Sequence, residues 1–189
     1  MARPLAGGGR VWTLAHLAAA IGVLLTLAPD ARAQLHDEHA VKVAFVFNLT
    51  KYVEWPQTNT QISIGVVGDG GMGELLKTML EGKTSESRPI HVVLSPSEAE
   101  MEHCSLIYIA DPSPRKIHAV LDQLRGKSIL TVGDSDTFVR QGGMVALVTV
   151  GEQVQIQIGL ETAQQSRLKI SSRLLNIATL VTPEPEAKN

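Results

Sequence analysis

The segment Ile62 to Glu81 reads I-S-I-G-V-V-G-D-G-G-M-G-E-L-L-K-T-M-L-E. Ile62 to Val67 is a short apolar run of strand type. The glycines that follow permit a tight turn, because glycine alone adopts left-handed backbone angles without steric cost. Met72 to Glu81 then predicts a helix with Leu75, Leu76, Met79 and Leu80 as its apolar stripe, and Gly82 is a natural terminator. Strand, glycine turn and helix in succession form the unit from which α/β proteins are assembled.

Downstream the unit recurs. Pro89 to Leu94 predicts a strand, Ser95 to Glu102 a single helical turn and Leu106 to Ile109 a buried strand. Ser113-Pro114 supplies a cap and a first-turn proline for a helix whose inward face is Ile117, Val120, Leu121 and Leu124. Ser128 to Val132 and Met144 to Val150 read as further strands, and Gly151-Glu152 as a tight hairpin turn. In the partner strand Val154, Ile156 and Ile158 alternate with Gln153, Gln155 and Gln157, so one face is wet and the strand lies near a sheet edge. Helices over Leu160 to Leu168 and Ser172 to Val181 are expected to close the fold. The expectation is a single-domain α/β sandwich: a mostly parallel sheet of about six strands ending in an antiparallel hairpin, with helices on both faces.

Upstream, Val41 to Pro56 (V-K-V-A-F-V-F-N-L-T-K-Y-V-E-W-P) holds Phe45, Phe47, Tyr52 and Trp55, four of the seven aromatic residues of the chain. A helix over His36 to Trp55 is predicted, with Val41, Phe45, Asn48, Leu49 and Tyr52 on one face and Pro56 as its stop. Before it stands a segment that reads as an address. Arg3 and Arg10 give a basic start, Val11 to Leu27 is apolar, and Ala31-Arg32-Ala33 is a small-x-small site, predicting cleavage after Ala33. The expected organisation is a signal peptide over 1–33, a domain over 34–182 and a disordered tail over 183–189.

Removing the leader takes Arg3, Arg10, Arg32 and Asp30 from 17 basic and 19 acidic residues, leaving 14 and 18, a formal charge of −4. A mildly acidic chain lacks the electrostatic footprint of a nucleic-acid binder. Cys104 is the single cysteine, so no disulfide can form within one chain.

Motifs with chemical potential are few. Gly68-Asp69-Gly70-Gly71-Met72-Gly73 fits G-x-G-x-x-G after a strand and before a helix, as a dinucleotide fingerprint would. Against that reading, the helix is short and the next strand ends in Leu94-Ser95 with no carboxylate for a ribose. Gly68, Gly70, Gly73 and Asp134 are candidate contacts for a small ligand at the strand ends. His36, Asp37, Glu38 and His39 lack an identifiable third metal ligand, and Cys104, at the start of a buried strand, reads as a small hydrophobe. No catalytic set, metal site or cofactor is expected.

Six motifs, in order and spacing, carry a family resemblance. They are Phe45–Pro56, Ile64–Gly68, His103–Ile109, Ile129–Asp134 with Phe138, Gly142–Val145, and Leu168–Ala178. Together they resemble the YfiR-like family, whose aromatic-rich opening helix ends in Trp-Pro. The resemblance implies a periplasmic repressor, generally dimeric. Such a protein binds the periplasmic sensor region of an inner-membrane diguanylate cyclase and holds it inactive. Release, by capture on an outer-membrane lipoprotein or by redox damage, then raises cyclic di-GMP and favours biofilm. The lone Cys104 departs from the disulfides of the best-known members and puts a redox trigger in doubt. On this reading Phe138, Met144, Ile170 and Arg173 are the expected exposed partner contacts, an aromatic, a methionine and an arginine being typical of interfaces, with the alternative that Phe138 and Met144 simply fill the core. The alternatives are a periplasmic small-molecule-binding sensory module and, furthest from the residues, an exported nucleotide-dependent enzyme.

Overall fold

The computed structural model describes residues 31–56, 59–68, 71–110 and 113–183. The chain divides into two compact units, Met1–His36 and Asp37–Asn189, and the second carries the fold. Apart from Ala31–Ala33, which begin a helix, the expected leader lies outside the described residues, as do Gly70 and residues 184–189 of the expected tail.

Helix α1 (Ala31–Tyr52) runs into strand β1 (Val53–Glu54). There follow β2 (Ile62–Gly68), α2 (Met72–Leu80), β3 (Thr84–Ser85), β4 (Arg88–Leu94), α3 (Glu98–Met101), β5 (Leu106–Ala110), α4 (Pro114–Leu124) and β6 (Leu130–Gly133). The hairpin β7 (Val145–Val150) and β8 (Gln153–Ile158) precedes α5 (Leu160–Gln165), β9 (Lys169–Ile170), α6 (Ser172–Leu175) and β10 (Thr179–Leu180). The main sheet has the order β10-β8-β7-β6-β5-β2-β4-β3. Strands β4, β2, β5, β6 and β7 are mutually parallel, while β7 and β8 pair antiparallel with Val150 opposite Gln153 across the Gly151-Glu152 turn. The six longer strands are those the sequence predicts; two-residue strands extend the sheet at either edge.

Alternation along the strands builds two apolar layers. Ile62, Ile64, Val66, Leu106, Tyr108, Leu130, Val132, Val145 and Leu147 face one way, packed with residues of α1 and α2. Ile107, Ile109, Ala146 and Val148 face the other, packed with Ile117, Leu121 and Leu124 of α4. Helices thus cover both faces, which explains the near-continuous apolar runs of the central strands.

The face of α1 differs from expectation. Its buried residues are Val43, Val46, Leu49 and Thr50, with Lys42 beside them, whereas Val41 is 39% exposed and Phe45, Phe47 and Tyr52 are half-buried. Compact side chains fill the side of the helix buried in the core, and the long aromatics pack against that core only in part. The helix also ends at Tyr52 rather than Trp55, because Val53 and Glu54 pair antiparallel with Ile170 and Lys169 of β9.

Two C-terminal expectations are corrected as well. Helix α5 stops at Gln165, where Arg167 takes a left-handed φ of 61° and Leu168 N–H closes the turn on the Ala163 carbonyl at 3.0 Å. The helix expected over Ser172 to Val181 is a single turn, after which Thr179 and Leu180 add to the edge of β8 and Val181 N–H donates to the Ile158 carbonyl at 2.9 Å. The open edge of β8 offered unpaired backbone groups, and β-branched Thr179 and Val181 suit a strand better than a helix.

Candidate ligand and partner sites

The chain crosses from β2 to β4 on one side, then returns past β2 to β5 and continues outward to β6 and β7. The switch point of this doubly wound order falls between β2 and β5. Ligands of open α/β sheets bind at such points, beyond the carboxyl ends of the strands. Those ends are Gly68 and Ala110; residues 69–70 and 111–112 lie outside the described residues. The glycines around this point have structural duties. Gly68 and Gly71 take φ of 98° and 74°. A β-carbon on Gly73 would come within 3.0 Å of Leu94 Cδ2, so Gly73 permits close packing of α2 on the sheet. Of the other ligand candidates, Asp134 is exposed just beyond β6, two strands away from Gly68, and the structure does not bring it together with the glycine turn.

Asp134 instead borders a cavity of about 770 Å³ at the same end of the sheet, shared with Glu38, Lys42, Arg140, Thr149 and Gln157. Lys42 is only 4% exposed, and its ammonium is paired with Glu38 Oε1 at 2.6 Å, one turn earlier on α1. The same oxygen accepts from Thr149 Oγ1 at 2.6 Å, tying α1 to β7. The hydrogen bond from Lys42, and then that from Thr149, hold the Glu38 carboxyl below its ordinary value. Gln157 Oε1 is buried and has no hydrogen-bond partner among the described residues, and the same holds for the hydroxyl of Tyr108, a core residue of β5 that does not line the cavity. Burial first, and then the charges of Asp134 and Glu38, push the Tyr108 phenol far above its usual range, so it remains a protonated donor. Sequence reasoning missed Lys42, Thr149 and Gln157. The Glu38–Lys42 spacing of four was the one available signal.

At the amino ends of the strands lies a groove of about 480 Å³ lined by Trp55, His103, Cys104, Lys127, Ser128 and Arg167, among others. Trp55 Nε1 donates to the Ser105 carbonyl at 2.8 Å, fixing the end of the aromatic segment against the start of β5. Cys104 is 5% exposed, and burial pushes its thiol up to about 11. A thiol so placed carries almost no thiolate at neutral pH and makes a poor nucleophile or redox sensor. Among the described residues no three His, Cys, Asp or Glu side chains are grouped to hold a metal ion, and no helix is long and apolar enough to cross a membrane.

Of the four expected partner contacts, two are not at the surface. Phe138 is 1% exposed, and a β-carbon on Gly133 would come within 2.5 Å of its ring, while one on Gly143 would also collide with it. Met144 is 3% exposed, its N–H donating to Thr131 Oγ1 at 3.1 Å. Both are core residues, because the loop after β6 folds back over the sheet rather than standing out from it. Ile170 is half-buried in the β1–β9 pair, and Arg173 is exposed on α6.

Strand order and layers define a doubly wound α/β protein with polar recesses at both ends of its sheet. Residues 39–179 match the model of the YfiR/HmsC-like family, and the chain belongs to that family. No curated protein matches it.

Proposed function

We propose that this protein is an exported, periplasmic regulator of cyclic di-GMP signalling. It binds the periplasmic region of an inner-membrane diguanylate cyclase and holds the enzyme inactive. The observation that carries the reading is the family match, which runs from His39 in α1 to Thr179 in β10 and so takes in the whole sheet scaffold. Such a regulator acts by binding and needs no reaction centre of its own. The partner surface is assigned to Ile170 and Arg173, where a half-buried aliphatic residue stands near an exposed guanidinium, a pairing that suits a protein interface. An outer-membrane lipoprotein that competes for the protein, and a homodimeric state, belong to the same proposal, as does cleavage of the leader after Ala33. A redox trigger through Cys104 does not, given its buried thiol.

Deleting the gene and measuring cellular cyclic di-GMP tests the proposal. The level is expected to rise on deletion and return to baseline when the wild-type chain is supplied. An unchanged level on deletion, with a cyclase of this type expressed, would remove the repressor role.

A further inference from the structure

The groove at the amino ends of the strands holds a charge and a hydroxyl that the chain itself does not satisfy. Its lining includes one carboxylate, Glu102, and two fixed cations, Lys127 and Arg167, with His103 beside them. Lys127 Nζ is bonded to Glu102 Oε1 at 2.8 Å, which closes that pair. Arg167 is exposed, and its side chain has no ion pair among the described residues. The Ser128 hydroxyl oxygen in the same groove is buried without a hydrogen-bond partner among the described residues, although the residue as a whole is half-buried. A hydroxyl left buried and unpaired costs free energy that an acceptor on a ligand would remove.

Arg167 also stands where the backbone disfavours it. It follows α5 with a φ of 61°, while Leu168 N–H closes the turn on the Ala163 carbonyl at 3.0 Å. Glycine is the usual residue at such a helix end, because a β-carbon is crowded in the left-handed region. The turn is closed by backbone groups, so what the arginine adds over glycine is a guanidinium in the groove. Strained positions of this kind cluster at binding sites.

We propose that this groove is a binding site for a small organic monocarboxylate. The Arg167 guanidinium pairs with the carboxylate, and a single unpaired fixed cation among the described lining residues suits a monoanion better than a dianion. The Ser128 hydroxyl donates to the same ligand. The indole of Trp55, held by its bond to the Ser105 carbonyl at 2.8 Å, gives the carbon skeleton a flat wall. At about 480 Å³ the groove falls within the roughly 300–1,000 Å³ range of small-molecule sites. The site goes beyond the regulatory reading and does not depend on it, because neither Ile170 nor Arg173 lines the groove.

Isothermal titration of the full chain with sodium acetate, sodium L-lactate and sodium benzoate, at constant ionic strength and with benzamide as the uncharged comparison, tests the assignment. Saturable heat is expected with at least one of the carboxylates and none with benzamide. Arg167→Gly should weaken that binding at least about tenfold, the worth of a charge-assisted hydrogen bond. It should do so without lowering the melting temperature, since glycine takes the left-handed φ at no steric cost. Ser128→Ala, which removes only the unpaired hydroxyl, should weaken binding about threefold or more. The absence of saturable heat with all three carboxylates would overturn the proposal. So would unchanged affinity in either variant, or benzamide binding as tightly as benzoate.

Discussion

Two sets of aromatic residues in this molecule have opposite fates. Phe138, alone in a polar loop, is almost wholly buried, set between Gly133 and Gly143, neither of which has room for a side chain. Phe45, Phe47, Tyr52 and Trp55, concentrated on and just after one helix, are only half-buried, and Lys51 Nζ stands 4.3 Å from the Phe47 ring centre. A dense aromatic run therefore marks a flank of this fold, and an isolated phenylalanine marks its interior. Burial here is decided by how small the neighbouring residues are. Glycines make room for Phe138, while Val43, Val46 and Leu49 take the core-facing positions of α1 and leave its aromatics half-buried.

The largest test of that contrast is Phe138→Ala, expected to cost about 3–5 kcal/mol by emptying a filled site. Chemical denaturation would measure it, and a cost under about 1 kcal/mol would mean that Phe138 is not the interior residue described. Gly143→Ala should destabilise by about 1–3 kcal/mol through overpacking. Combined with Phe138→Leu it should cost less than the sum of the two, since the collision is between these residues; strict additivity would break the link. Phe47→Ala, at a half-buried flank, should cost about 1 kcal/mol. If it matched Phe138→Ala, the distinction between flank and interior would fail.

The smallest effect concerns acid. Glu38 lies below its ordinary value of 4.5, so its contribution to stability is complete above that pH and is lost as pH falls through the lowered folded value. Glu38→Gln should therefore flatten part of the fall in melting temperature below pH 4.5. An identical acid limb in the variant would show that the contacts with Lys42 and Thr149 do not persist in solution.

Much of the scaffold was legible because its signals are local. The strands at Ile62, Pro89, Leu106, Ser128, Met144 and Gln153 are short apolar or alternating runs, bounded by glycine, proline or polar turns. The buried face of α1 was not, because apolar residues lie all round that helix and periodicity had several equivalent stripes to choose from. Strand β10 was hidden for another reason: it exists only because the edge of β8 is there to receive it. The polar cavity was the least visible. Lys42, Thr149 and Gln157 come from α1, β7 and β8, and nothing in their local sequence announces that the fold brings these elements together. For Phe138 and Met144 residue type leaves interface and core both open, and it is the close packing around Gly133 and Gly143 that decides for the core.

As proposed, this chain works by binding a membrane partner through the β9–α6 segment, with the buried Phe138 serving as scaffold. The most direct test of that role is the affinity of the purified chain for the purified periplasmic region of an inner-membrane diguanylate cyclase from the same cell. Wild type should bind saturably, and a folded Arg173→Ala variant should bind at least about tenfold more weakly, as loss of an interface arginine does. No binding by wild type, or equal binding by Arg173→Ala, would contradict the account.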